Sequence, residues 1–436
     1  MSLIGRRRAR LAVVLAACCV IGGGGAWVWP FVTQRLAEKR LEECDADGAL
    51  KWLEWGRVGA NDDAERLFLL ARAYRFQGDF DRVSEVLKRL HERGADRRRL
   101  EYEQNLALAQ SGRMSQAQGV LAGLLTDPDS DMGDVARAYA LGYLRARRVD
   151  AALTILDAWI DDSGGNAEAY RIRGNVFLSE QKLALAEAEF QKAFVLAPER
   201  REVVRPLADV LFQLDRCEEA KEMYLLLLRQ DSTDIVARCG VAKCAKAAGD
   251  TARAREILVD VIRDDPSCHT ALYELGRLEF EGERFAKAIG FLKRAVDVKP
   301  WDDLAHYQLG LAFQRRGDKE SAQVHLNFAE EAMDSHQRLA VLNDQIRQNR
   351  DQVDALVESG RLLLKYSDPN EGVVRLYAAL DLDAGNFEAH NLLAGHFRVL
   401  AEEDESFSTL AEKHEKRVKE LESHGAVVDG VSDSDR

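Results

Sequence analysis

Histidines, cysteines and paired carboxylates are the residues of this chain that could do chemistry, but their spacing matches no known site. The nine histidines are scattered, and His390 and His396 do not share one helix face as two metal ligands would. Cys239 and Cys244 fall on different helix faces, and no Cys-x-x-Cys metal motif occurs. The sequence also lacks a phosphate-binding loop, a dinucleotide-binding glycine pattern and a Gly-x-Ser-x-Gly nucleophile turn. We therefore predict no catalytic residue, no metal and no cofactor, and that the protein is not an enzyme.

Charge is distributed unevenly along the 436 residues, which carry a net charge of −13. Residues 1–40 contain seven basic residues and one acidic residue, so residues 41–436 carry −19. An acidic body repels phosphate backbones, which argues against a nucleic-acid partner. Seven irregularly spaced cysteines are too few for a disulfide framework.

The N-terminal region has the pattern of a membrane anchor. Residues 1–10 are basic, and the 22 residues from Leu11 to Val32 carry no charge. About 20 mainly apolar residues span a bilayer as a helix, and flanking arginines favour the cytoplasmic side. We predict a single-pass anchor at 11–32, with a cytoplasmic N-terminus and an extracytoplasmic (periplasmic) body. Two alternatives stay open: a cleaved signal peptide, and a lipoprotein modified at Cys18.

The body of the chain repeats with a period of 34 residues. Five consecutive units from residue 167 to 336 hold a small residue, a second small residue and often a proline in one register. The residues that define this register are Gly174, Ala186, Pro198, Ala208, Ala220, Ala242, Ala254, Pro266, Gly276, Ala288, Pro300, Gly310 and Ala322. Weaker units precede and follow this block.

This pattern resembles the tetratricopeptide repeat family. The resemblance implies an all-α fold of about ten repeats, each an antiparallel helix pair, stacked into a right-handed superhelical solenoid. We assign 34–336 to the repeat array, 337–352 to an irregular helical insert and 353–420 to divergent repeats with a capping helix. Residues 421–436 are expected to be disordered.

The same resemblance points to a binding surface. In this family the first helix of each unit lines the concave face, where aromatic and arginine side chains are suitable anchors for a peptide. The residues carried over to that face are Arg171, Asn175, Leu178, Arg205, Asp209, Phe212, Lys243, Lys246, Tyr273, Arg277, Phe280, Tyr307, Leu311 and Gln314.

These features together predict a bacterial, membrane-anchored scaffold that binds a protein or peptide partner and acts in cell-envelope assembly. A small-molecule substrate is not expected. The first alternative is a lipoprotein of the same fold that acts as an assembly factor. The second is an accessory subunit of an enzyme encoded elsewhere. The sequence does not name the partner, because a repeat surface does not specify its function.

Overall fold

The structure is a computed structural model that describes residues 25–42, 45–55, 63–113, 116–117, 119–120, 123–124, 131–146, 148–349 and 352–431. Within these ranges the chain is helical and contains no β-strand. The helices are α1 (Gly25–Glu42), α2 (Ala46–Trp55), α3 (Ala64–Gln77), α4 (Phe80–Glu92), α5 (Arg97–Gln110), α6 (Met132–Arg145), α7 (Val149–Ser163), α8 (Ala167–Ser179), α9 (Leu183–Leu196), α10 (Arg201–Gln213), α11 (Cys217–Gln230), α12 (Ile235–Ala247), α13 (Thr251–Asp264), α14 (His269–Glu281), α15 (Phe285–Val298), α16 (Asp303–Arg316), α17 (Lys319–Gln348), α18 (Val353–Tyr366), α19 (Pro369–Leu382), α20 (Phe387–Glu403) and α21 (Ser408–Val431). A short 3₁₀ helix, Glu405–Phe407, precedes α21.

The helices divide into two compact units, residues 1–227 and residues 228–436, with the boundary inside α11. In the first unit, α1 packs on α2, α3 on α4, α6 on α7 and α8 on α9. In the second, successive pairs from α12–α13 to α20–α21 pack in the same way. The prediction of an all-α fold built from repeated helix pairs is therefore confirmed.

The predicted membrane segment lies mostly outside the described residues. Residues 11–24 and Cys18 are not described, and α1 begins at Gly25. Among the described residues, no helix combines the length and the apolar character that a bilayer crossing requires.

Side-chain caps explain where many of the helices begin. Asp131, Asn166, Asp234 and Asp302 each precede a helix and accept a hydrogen bond from a backbone amide in its first turn. Such a cap satisfies an amide that has no partner inside the helix, and contributes about 1 kcal/mol. Proline marks where a helix ends, because it cannot continue the backbone hydrogen bonding of the helix. Pro198 lies two residues after the last residue of α9.

Small residues let paired helices approach closely. A Cβ atom placed on Gly174 would lie 2.7 Å from the ring of Phe190, and one on Gly276 would lie 2.6 Å from Cγ of Leu292. The second small residue of each unit is buried: Ala186, Ala220, Ala254, Ala288 and Ala322 have exposures of 0–3%. Glycine or alanine at these positions therefore sets the distance between helices, and the large residues opposite fill the remaining space.

Two segments of the C-terminal region differ from a regular repeat. Helix α17 runs without interruption from Lys319 to Gln348, so residues 337–348 of the segment assigned to an insert continue the second helix of the preceding pair. Leu339 and Leu342 on this extension are buried. The segment expected to be disordered, 421–436, overlaps the end of α21, which ends at Val431; residues 432–436 lie outside the described part.

Two histidine pairs are packed inside the second unit. The Nδ1 atoms of His306 and His325 are 3.1 Å apart, and those of His390 and His414 are 2.8 Å apart. His414 is 1% exposed and His390 is 9% exposed. Each contact joins a histidine in the first helix of a pair to one in the second, and thus links α16 to α17 and α20 to α21.

The hydrogen bonds around the second pair are all satisfied when both rings are neutral. His390 Nε2 donates to the carbonyl of Ala384 at 3.2 Å, which leaves its Nδ1 to accept from His414 Nδ1. The Tyr377 hydroxyl, 3.2 Å from His414 Nε2, completes the chain as a donor. Burial, His390 and Lys413 lower the pKa of His414 to about 4.

We expect the α20–α21 pair to lose stability as the pH falls from about 6.5 to about 4. The unfolded histidine binds a proton near pH 6.5 and folded His414 resists it, so the unfolded state binds more protons across this window. The free energy of unfolding then decreases by up to about 1.4 kcal/mol per pH unit for each such histidine. Native-state hydrogen exchange of α20 and α21 at several pH values measures this slope.

A matched pair of variants isolates the contribution of His414. His414→Gln should flatten the pH slope, whereas His91→Gln, at an exposed residue of α4, should leave it unchanged. An equal slope in the wild type and in His414→Gln would show that the buried pair does not control acid stability.

Candidate functional site

A ladder of acidic and arginine residues runs along the first unit with the 34-residue period. Its acidic members are Asp134, Glu168 and Glu202, and its basic members are Arg137, Arg171 and Arg205. Each arginine follows its acid by three residues, so both lie on one helix face. They occupy α6, α8 and α10, the first helices of three successive pairs.

The first rung lies within a buried ion network. Arg75, which is 0% exposed, contacts Asp134 at 2.5 Å and Glu103 at 3.1 Å. Arg72 Nε lies 3.4 Å from Asp134. Burial opposes the charge of Arg75, but Asp134 and Glu103 outweigh it and raise the pKa of the guanidinium. The carboxylates hold Arg75 charged, and Gln110 accepts from it and donates to its carbonyl oxygen.

The second rung centres on Glu168, which is 3% exposed and contacts three arginines. Arg137 lies 3.2 Å away, Arg171 lies 2.6 Å away and Arg200 lies 2.9 Å away. Burial would raise the pKa of Glu168, but the arginines outweigh it and hold that pKa far below its usual range. Arg137 and Glu168 belong to neighbouring pairs, so this contact also links consecutive repeats.

The third rung opens into a cleft. Glu202 is 45% exposed, and Arg200 Nε lies 4.0 Å from its carboxylate. A cavity of about 790 Å³ begins here, and α1, α2, α8 and α10 form its walls. We call this cavity the basic cleft; its lining residues are Arg40, Asp45, Asp47, Gly48, Lys51, Trp52, Arg171, Arg201, Glu202, Arg205 and Pro206.

The basic cleft brings together residues that are distant in sequence. Lys51 and Trp52 come from α2, whereas Arg201 and Arg205 come from α10. Five basic and three acidic side chains line it, which gives a positive surface in an acidic protein. Asp45 lies 3.2 Å from Arg40, so part of the acidic charge is already paired. Arginine forks suit carboxylate-rich ligands.

Of the six predicted site residues in the first unit, Arg171 and Arg205 line the cleft. Asn175 is exposed, and Leu178 and Phe212 are half-buried. Asp209 accepts a hydrogen bond from the Tyr224 hydroxyl at 2.6 Å, so it supports the contact between α10 and α11.

The eight predicted residues of the second unit form smaller groups. Lys246 lies 2.6 Å from Glu281, and the Arg277 guanidinium lies 5.6 Å from the Tyr273 ring centre. Phe280 packs edge-on against Phe285. Among the others, Tyr307 is 47% exposed, Gln314 is exposed, and Lys243 and Leu311 are half-buried.

The acidic half of the ladder and the contribution of α1 and α2 were not predicted from the sequence. Glu168, Glu202 and Arg137 were not among the predicted site residues. The available signal was an Asp/Glu-x-x-Arg pattern that recurs every 34 residues, at 134–137, 168–171 and 202–205. No comparable signal marks Arg40 or Lys51, because their position beside α10 depends on how the first unit curves.

Metal ligands are not clustered in the described part of the chain. Within those ranges no group of three or more His, Cys, Asp or Glu residues is arranged to hold a metal ion. The acidic residues of the ladder contact arginines instead.

Several solved structures share partial similarity with this chain. PilW, described as a widely conserved type IV pilus biogenesis factor, is 16% identical with a TM-score of 0.41, covering 45% of this chain and 91% of PilW. PilF from Pseudomonas aeruginosa is 18% identical to this chain, with a TM-score of 0.39. The match covers 45% of this chain and 89% of PilF. YrrB, described as a TPR protein with an unusual peptide-binding site, is 20% identical to this chain, with a TM-score of 0.28. The match covers 46% of this chain and 95% of YrrB. No curated protein matches the sequence.

Two segments of the chain match a known repeat family. The model of the family described as tetratricopeptide repeat matches residues 137–201 and 242–303. These ranges include helices α8, α13 and α14 and the second rung of the ladder, Glu168 and Arg171, whereas Glu202 and Arg205 lie just beyond the first range. Residues 137–201 and 242–303 are therefore tetratricopeptide repeats.

Proposed function

We propose that this protein is an interaction scaffold that binds an acidic segment of a partner protein in the basic cleft. The observation that carries the proposal is the convergence of α2 and α10 on one open cavity with an excess of basic side chains. Tetratricopeptide and related repeats bind partners through extended surfaces of this kind.

The ladder supports this assignment by organising the cleft wall. Arg171 is oriented by hydrogen bonds to Glu168 at 2.6 Å and 2.9 Å, so its side chain is positioned before any ligand arrives. A positioned side chain loses less conformational entropy on binding. Trp52 adds an aromatic surface beside these charges, and aromatic and arginine residues commonly supply most of the energy of an interface.

A double charge reversal tests the proposal. In Arg201→Glu/Arg205→Glu, the affinity for a fluorescein-labelled Glu-rich decapeptide should fall at least about tenfold per arginine, because a hydrogen bond to a charged group contributes about 1.5–3 kcal/mol. Fluorescence anisotropy with the full-length protein measures this change. The same peptide with Gln in place of Glu should bind weakly to the wild type.

The matched control reverses two arginines outside the cleft. Arg82→Glu/Arg97→Glu changes the net charge equally at side chains that are 61% and 91% exposed. This control should keep wild-type affinity. Equal losses of affinity in both double variants would show that net charge alone causes the effect and would rule out the basic cleft as the binding site.

A pull-down from crosslinked membranes with the wild type and the same two double variants would identify the natural partner.

We further propose that the scaffold is held at a bacterial membrane by residues 11–32 and contributes to cell-envelope assembly. The 22-residue uncharged stretch behind an arginine run supports this placement. The lipoprotein alternative is distinguished by the mass of the mature N-terminal peptide, since modification at Cys18 removes residues 1–17. An intact N-terminus in a carbonate-extractable fraction would contradict both forms of attachment. Co-purification with a catalytic partner would instead favour the accessory-subunit alternative.

A further inference from the structure

A second cavity of the first unit lies apart from the basic cleft. It has a volume of about 330 Å³, and residues of α1, α3, α6, α7 and α8 form most of its walls. We call it the arginine pocket, because three arginines line it together with two aromatic rings: Arg72, Arg137, Arg200, Phe76 and Trp159. Among the described residues, none lines both the arginine pocket and the basic cleft. The pocket is therefore separate from the site proposed above.

Each of these arginines has a buried nitrogen that lacks a hydrogen-bond acceptor. Arg137 is 6% exposed, and its Nη1 makes no hydrogen bond. The Nε atoms of Arg72 and Arg200 are likewise buried without one. Arg72 Nε lies 3.4 Å from Asp134, an ion-pair contact whose geometry is not that of a hydrogen bond. A buried donor without an acceptor is costly, because it has lost its hydrogen bond to water. Three such donors around one cavity indicate an occupant that supplies acceptors.

Glu168, the carboxylate that contacts two of these arginines, has no capacity left. Its Oε1 accepts hydrogen bonds from Arg137 Nε and Arg171 Nη2. Its Oε2 accepts from Arg171 Nε and Arg200 Nη2. A carboxylate offers about four lone-pair sites, so these four hydrogen bonds saturate Glu168. The unused N–H groups therefore suit the oxygen atoms of a ligand, and a carboxylate is the group that guanidinium donors bind best.

Carboxylates on α1 give the pocket a second kind of polar group. Glu38 and Glu42 both line it, and the Glu38 side chain is 42% exposed. Glu38 pairs with Arg35, whose side chain is 80% exposed, and a surface pair of this kind is weak enough to exchange for a ligand. The described lining holds three arginines and five carboxylates in all. That excess of acid disfavours a simple anion, whereas the unused arginine donors disfavour a simple cation.

The two aromatic rings add an apolar surface beside the arginine donors. The guanidinium carbon of Arg137 lies 3.9 Å from the centre of the Phe76 ring, and this stacking holds the arginine in place. Trp159, which is 9% exposed, lines the same cavity. An apolar group of a ligand can therefore pack against these rings while its polar groups meet the charged side chains.

We propose that the arginine pocket binds a free α-amino acid with an apolar side chain. Its carboxylate accepts hydrogen bonds from the unused N–H groups of Arg72, Arg137 and Arg200, and its ammonium group pairs with Glu38 and Glu42. The apolar side chain packs against the two aromatic rings. Such a ligand carries one negative and one positive group, as the lining requires. A cavity of about 330 Å³ lies at the small end of the range for ligand sites, which suits a molecule of this size.

Isothermal titration calorimetry of the full-length protein with L-phenylalanine tests the proposal. Two analogues share its phenyl ring: 3-phenylpropionate lacks the ammonium group, and 2-phenylethylamine lacks the carboxylate. Each analogue should bind at least about tenfold more weakly than L-phenylalanine, because it leaves one set of charged groups in the pocket without a partner.

A substitution that fills the pocket tests its position. Gly133 lines the pocket, and a Cβ atom there would lie 3.6 Å from the Trp159 indole. Gly133→Leu should therefore occupy space that the ligand needs and lower the affinity at least about tenfold. The matched control is Gly290→Leu, at an exposed glycine with nothing within 4 Å of its Cβ position, and it should keep wild-type affinity.

A second variant changes the donors and keeps the charge. Arg200→Lys leaves a positive charge beside Glu168 but removes the guanidinium N–H groups, so the affinity for L-phenylalanine should again fall about tenfold. Arg82→Lys, at a side chain that is 61% exposed, is the control. Circular dichroism checks that each variant folds, and Arg200→Lys carries the test if Gly133→Leu does not.

The Arg201→Glu/Arg205→Glu variant separates this pocket from the basic cleft, because it should keep wild-type affinity for L-phenylalanine. A loss of affinity there would place the ligand in the basic cleft and overturn the proposal. No binding of L-phenylalanine to the wild type, or binding of either analogue with equal affinity, would also overturn it. So would wild-type affinity in a folded Gly133→Leu or Arg200→Lys protein.

Discussion

Replacing Arg75 by Met is expected to lower the free energy of unfolding of the first unit by about 3–5 kcal/mol, the usual cost of removing one partner from a buried ion pair. The guanidinium is fully buried and bridges Asp134 and Glu103, which come from two other helices. Without it, two buried carboxylates lose their main counter-charge. The methionine side chain fills much of the volume, so the loss reports the charge more than a cavity.

Urea unfolding followed by tryptophan fluorescence measures this effect, because five of the six tryptophans lie in residues 1–227. Arg97→Met is the matched control, since the Arg97 side chain is 91% exposed and its pair with Glu101 lies on the surface. Its effect should stay within about 0.5 kcal/mol. A triple variant with Arg75→Met, Asp134→Leu and Glu103→Leu should recover much of the lost stability, because no charge then remains buried. Similar losses in the triple and single variants would instead indicate a packing role.

The second large effect is expected at a helix contact. Gly276→Ala should destabilise the second unit by about 1–3 kcal/mol, the range for overpacking a well-packed interior. The new methyl group would meet Leu292 at 2.6 Å, near the root of that side chain and 3.4 Å from its backbone nitrogen. The leucine cannot move aside without shifting α15 relative to α14.

Gly290 provides the control for this substitution. It lies inside α15, is exposed, and has nothing within 4 Å of the position that a Cβ would take. Gly290→Ala should therefore stabilise the helix by roughly 0.5–1 kcal/mol, the intrinsic preference of alanine over glycine. Hydrogen exchange of α14 and α15 amides compares the two variants. Changes of the same sign would show that helix propensity, and not the close approach at Gly276, controls both positions.

The arginine ladder connects stability with recognition in the first unit. At Asp134 and Glu168 the carboxylates are buried and held by arginines from more than one helix. At Glu202 the equivalent carboxylate is exposed at the cleft. The acidic–arginine pair therefore links neighbouring repeats at the two buried rungs. At the third rung, which lines the basic cleft, we propose that the pair faces a ligand.

The repeat period in the sequence was sufficient to predict the helices and their pairing. Paired helices need a small residue wherever their backbones approach closely. The regular spacing of small residues such as Gly174, Gly276 and Ala288 was enough to predict these positions from the sequence. The N-cap residues and the prolines after helices act within a few residues of their own position. Such local effects are readable without knowledge of distant contacts.

Only the tertiary structure decided whether a polar side chain is buried in an ion pair or lines the cleft, because this depends on long-range contacts. Arg137 and Arg205 occupy equivalent positions in their repeats, yet Arg137 is buried against Glu168 and Arg205 lines a cleft with Lys51. The two histidine pairs likewise join residues that are 19 and 24 positions apart and show no motif in the sequence. The 34-residue period repeats side-chain positions but not their neighbours, because a neighbour's identity depends on which helix the curvature of the unit brings alongside.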